Sequence, residues 1–125
     1  MKELSVEEIV KKHIESDLII QECRETGNSA RNNREVKKSL KLVFSYKDDI
    51  EKATKVYQTL FKEENPYVLA SAAVECLRIG ILIPEAEAIL ERVSKMEGVG
   101  IISFSAKIAL RMWRGEDEGT FEKWN

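Results

Sequence analysis

The residues of this 125-residue chain best suited to chemistry are one histidine, two cysteines and 22 carboxylates. His13-Ile14-Glu15 has the His-x-Glu spacing of a zinc-activated hydrolytic site, but the Pro-Cys-x-x-Cys run that completes that ligand set is absent. A tetrahedral metal site needs three or four ligands, and the chain offers no second histidine. No metal and no cofactor are expected. His13 and Asp17 stand four residues apart, which on a helix makes them neighbours on one face. Cys23 and Cys76 belong to no metal or redox spacing and read as small buried apolar residues. Gly98-Val99-Gly100 lacks the lysine of a P-loop, the third glycine of a dinucleotide fold and a preceding strand. It reads as a turn with positive-φ glycines. With one histidine and no activated nucleophile, no catalytic pairing assembles, and the chain is not expected to be an enzyme.

The elements that must position these residues are helices throughout. Apolar residues recur at three- and four-residue steps, and no segment alternates with period two. Ser5 with Glu7 and Glu8 marks the start of a first helix whose stripe is Val6, Ile9, Val10, Ile14 and Leu18. Gly27-Asn28 stops it. A second helix from Ser29 carries Ala30, Asn33, Val36, Leu40, Val43 and Phe44 on its expected inward face, with Asn33 bonding the first helix. After Tyr46-Lys47-Asp48-Asp49, a third helix over 50–61 turns Ile50, Ala53, Tyr57, Leu60 and Phe61 inward. Asn65-Pro66 opens a fourth over 66–79, burying Val68, Ala72, Ala73 and Cys76. Pro84 opens a fifth, burying Ala86, Ile89, Leu90 and Val93. A sixth over 101–113 buries Ile101, Phe104, Ser105, Ile108, Ala109 and Met112. The tail from Glu116-Asp117-Glu118 to Phe121 and Trp124 is left open between folding back and fraying.

The expected architecture is all-α, about six helices in antiparallel hairpins, within a single domain. Residues 1–48 form an N-terminal helix pair, 49–114 two hairpins and 115–125 an acidic tail. Ser71-Ala72-Ala73-Val74 aligns with Ser105-Ala106-Lys107-Ile108 at an offset of 34 residues, close to the period of helical solenoids. Asn65-Pro66 followed by the Ala72-Ala73 pair resembles the second helix of a HEAT-like repeat, although Leu69 stands where such repeats place arginine. The run from Gly100 to Trp113 resembles the closing helix of small bacterial HEAT-like domains. That resemblance implies a binding module, most concretely an immunity protein of a toxin or contact-dependent growth inhibition system.

The formal net charge of −2 conceals a pattern of −3 over residues 1–25, +5 over 26–62 and −4 over 63–125. An acidic surface is steered toward the basic cleft of a toxin nuclease by complementary fields. The acidic candidates for such a contact are Glu15, Asp17, Glu63, Glu64, Glu116, Asp117 and Glu118, with Tyr67 as an aromatic anchor. The expected function is therefore stoichiometric inhibition of a protein partner. The alternative is nucleic-acid binding or scaffolding through the basic block 31–62, against which stands a pI of about 5.6. No apolar run reaches membrane-spanning length and the first residues are acidic, so a cytoplasmic protein without membrane contact is expected.

Overall fold

Local signals set the helix ends. In the computed structural model, which describes residues 3–116 and 119–124, six helices form: α1 (Val6–Thr26), α2 (Ser29–Tyr46), α3 (Ile50–Leu60), α4 (Pro66–Ile79), α5 (Ile83–Ser94) and α6 (Ile101–Trp113). No described residue lies in a strand, so the chain is all-α as the periodicity predicts. Ser5 and Glu8 exchange reciprocal side-chain to backbone hydrogen bonds, each 3.2 Å, and close a capping box on α1. Asn28 caps α2 through the Arg31 N–H, and Asn65 caps α4 through Tyr67 and Val68. Gly80 ends α4 at φ 92°, a left-handed conformation that glycine reaches without strain. Two residues on, Leu82 takes φ 49° as the N-cap of α5, the one non-glycine described residue with positive φ. The two glycines before α6 have φ of 74° and 62°, as the turn reading requires.

The chain divides into two compact units, Met1–Thr59 and Leu60–Asn125. In the first, α1 packs on α2, and α3 turns Ala53, Val56 and Tyr57 fully inward. Ile9, Val10, Ile20, Cys23 and Val43 complete the apolar part of this core. In the second, α4, α5 and α6 each pack against the other two. Val68, Leu69, Ala72, Ala73, Cys76 and Leu77 of α4 meet a core containing Ala86, Leu90 and Val93 of α5 and Ala106 and Leu110 of α6. Each large aliphatic side chain buried here contributes roughly 1.5–3 kcal/mol over its exposed state.

The faces of α4 and α5 carry every residue expected on them, and α4 buries Leu69, Leu77 and Ile79 as well. Those of α2 and α6 do not. On α2, Ser39, Val43 and Tyr46 are buried, while Val36, Leu40 and Phe44 are 40%, 43% and 47% exposed. Asn33 is exposed, and α1 and α2 are joined instead by Ser16 with Glu35 and by His13 with Tyr46. The inward side of α2 is built partly of polar residues whose partners lie on other helices, so its apolar stripe is not its core stripe. On α6, Ile101 and Phe104 are 74% and 61% exposed, and Ser105 is exposed. This helix carries apolar residues around most of its circumference, so periodicity alone cannot select the packed side. Ile50 of α3 and Leu18 of α1 are likewise exposed, whereas Val56, absent from the expected face, is buried.

The C-terminal residues 119–124 return to the second unit. The Trp124 N–H donates to the Arg78 carbonyl at 2.7 Å. The Arg78 guanidinium lies 5.7 Å from the Phe121 ring centre and 5.3 Å from that of Trp124, and Phe121 meets Trp113 edge to face. A Cβ on Gly119 would stand 2.9 Å from the Met112 methyl, so the returning segment approaches α6 where a side chain would not fit without a shift.

Candidate functional site

Two features of the first unit gather its polar and charged residues. One is internal. His13 on α1 is 1% exposed, and its Nε2 lies 2.5 Å from the Tyr46 hydroxyl on α2. Tyr46 in turn donates to the Tyr57 hydroxyl on α3 at 2.9 Å. The Tyr46 hydroxyl, with one proton to give and two lone pairs, bridges the His13 imidazole and the Tyr57 hydroxyl. The three rings stand 5.8–6.1 Å apart, centre to centre, in tilted and edge-on arrangements. One turn along α1, Ser16 donates to Glu35 at 2.8 Å, and Asp17 is also buried. This chain of polar groups joins three helices. Its members are shielded from solvent, which suits it to fixing the register of α1, α2 and α3 rather than meeting a substrate.

The other feature faces outward. Val36, Leu40 and Phe44 repeat every fourth residue and form one stripe along α2. The remaining outward side carries Arg31, Arg34, Lys37, Lys38 and Lys41, all exposed, and the one acid of the helix, Glu35, is engaged by Ser16. At the end of the stripe Lys47 sits 5.1 Å from the Phe44 ring centre, its ammonium also paired with Asp48 at 3.0 Å. A separate shallow groove of about 470 Å³ runs along α1, lined by Val6, Glu7, Val10, Lys11, Ile14 and Glu15 with Thr59 of α3.

The acidic residues expected at a partner surface are dispersed. Glu15 is exposed and lines the α1 groove. Asp17, at 3% exposure, sits inside the first unit, so its carboxylate is not presented at the surface. Glu63 is half-buried and Glu64 exposed in the link before α4, with half-buried Tyr67 in the first turn of that helix. Glu116 is exposed beyond α6, and Asp117 and Glu118 lie outside the described residues. The α2 stripe, by contrast, is apolar spacing in the sequence that predicts an inward face, and the structure turns it outward. What could have marked it is the row of cations beside it.

Burial pushes the Cys76 thiol well above the usual range, with the charges of Glu75 and Glu85 adding to the effect, so the thiolate needed for reactivity is suppressed. Cys23 is buried as well. The hydrogen bond from Arg114 at 2.9 Å holds the Glu91 carboxyl below its ordinary range. Among the described residues no group of three or more His, Cys, Asp or Glu could hold a metal ion, and no helix is long and apolar enough to cross a membrane. The chain matches no protein-family model, no curated protein and no solved structure.

Proposed function

We propose that this chain is a helical binding module that recognises a protein partner and performs no chemistry of its own. The observation that carries the reading is the α2 stripe: three large apolar side chains, exposed and aligned on one helix face beside a row of cations. Aligned apolar exposure of this kind is what helix-in-groove recognition uses, and contiguous apolar patches mark interaction sites. A phosphate backbone would use the cations of α2 but gains nothing from Val36, Leu40 and Phe44. In the specific form implied by the HEAT-like resemblance, the partner is a toxin domain whose active surface the module covers.

Site-specific photo-crosslinking tests the reading. A benzophenone side chain replacing Phe44 should yield discrete protein adducts in the cells that make the chain. The same group at exposed Glu25, at the far end of α1, should not. Absence of discrete adducts from position 44 would remove the observation's functional meaning. The toxin form further requires that the captured protein arrest growth when expressed alone and that the chain restore it.

A further inference from the structure

We infer that the occupant of the α2 face is an acidic amphipathic helix, its apolar stripe laid on Val36, Leu40 and Phe44 and its carboxylates set against Lys37 and Lys41. This rests on the protein-binding reading and specifies the chemistry of the partner. Residues 36 and 44 stand eight positions apart, about 12 Å along the helix axis, which just over two turns of a facing helix cover. On the helical wheel Lys37 and Lys41 each follow a stripe residue by one position, so both lie along the same flank. Arg34 and Lys38 extend that flank. None of these four has an ion pair among the described residues, and Glu35 is turned to Ser16. The flank is therefore a row of uncompensated positive charge beside an apolar ridge.

The opposite edge of the stripe is closed off by the packed side of α2, where Ser39, Val43 and Tyr46 are buried. Among the residues of α2, cations thus border the stripe along one side only. A helix bearing carboxylates along one edge of its own stripe complements this one-sided arrangement and fixes its own direction on α2. A lipid surface is flat and suits cations along both edges of an apolar stripe. Half-exposed side chains also offer it little to insert. The long methylene stems of Lys37 and Lys41 can lie along the partner while their ammonium groups reach its carboxylates.

The test uses the full chain and synthetic probes. A fluorescein-labelled 18-residue helical peptide carries leucines at every third and fourth position, with glutamates along one edge. A second peptide replaces those glutamates by lysine. Anionic phosphatidylglycerol vesicles and a 20-base-pair DNA duplex complete the set. The proposal expects the glutamate peptide to bind at least about tenfold more tightly than the lysine peptide, with affinity falling as salt rises. Leu40→Glu and the paired Lys37→Glu/Lys41→Glu should each weaken the glutamate peptide about tenfold or more, with helicity by circular dichroism unchanged because all three positions are exposed. Equal binding of the two peptides, lost in Leu40→Glu, overturns the acidic partner and leaves protein binding through α2 standing. Vesicle or duplex binding that depends on these residues while both peptides stay unbound overturns the protein reading as well. No binding of any probe overturns the proposal.

Discussion

In the unit Met1–Thr59 the interior holds His13, Ser16, Asp17 and Ser39 beside its apolar side chains, whereas every described residue buried in Leu60–Asn125 is apolar. The two units solve the same problem, three helices around one core, with different materials. An apolar core is non-directional: it rewards area removed from water and tolerates small shifts of one helix along another. A core threaded by hydrogen bonds demands that donors and acceptors meet at fixed places, and it penalises every arrangement in which they do not. In the first unit the sequence positions that would otherwise bury α2's apolar stripe are taken by Ser39, Tyr46 and the Ser16–Glu35 bond. The stripe is thereby left outside. A polar seam within and an apolar ridge without are two aspects of one choice of register.

Changes at three places would break or sharpen this contrast. The largest effect is expected from Leu90→Ala in the second unit. That side chain is fully buried, and truncation leaves a cavity costing about 2–5 kcal/mol, read as a lowered midpoint in urea. Next comes Tyr57→Phe in the first unit. It removes one buried hydrogen-bond partner of the Tyr46 hydroxyl without opening a cavity, a loss of about 1–3 kcal/mol. Adding Tyr46→Phe should cost less than the sum of the single changes, because each single variant strands a partner that the double variant lacks. Strict additivity would show that the seam contributes only as packing, and the contrast between the units would fall.

The smallest effect belongs to the capping box of α1. Ser5→Ala should cost about 1 kcal/mol. Its partner Glu8 supplies a pH dependence. The Ser5 backbone N–H, then the Ser5 hydroxyl, hold the Glu8 carboxyl below its ordinary range. A group whose folded pKa is depressed stabilises the fold fully above its unfolded value and loses that contribution as pH falls through the folded one. The midpoint difference between the parent chain and Glu8→Gln should therefore be present at neutral pH and close in acid. A difference unchanged across the carboxylate range would show that the side chain works by shape rather than charge.

Helix ends were legible because their causes are local. Ser5, Asn65-Pro66, Gly27 and Gly80 each carry the physical reason for a start or stop within one turn, and the structure uses all of them that way. The faces of α4 and α5 were legible too, since their apolar residues lie mainly on the packed side. What could not be read was a face whose burial depends on distant partners. His13 meets Tyr46 33 residues away and Tyr46 meets Tyr57 11 residues away, and no periodicity encodes such pairings. The same gap misassigned Asp17, a carboxylate that looks like any surface acid until a whole unit closes around it. Leu40 and Phe44 were misassigned for the converse reason, because amphipathic spacing reports that a stripe needs covering and not that the chain itself supplies the cover.

The placement of the aromatic and imidazole rings has a spectroscopic consequence. Both tryptophans, Trp113 and Trp124, lie in the second unit, and the chain's one histidine lies in the first. Indole emission therefore follows only the unit closed by the returning C-terminal segment. The single imidazole resonance follows only the seam between α1, α2 and α3. A denaturant titration recorded by both signals distinguishes units that melt together from units that melt in turn, with no label added to the chain.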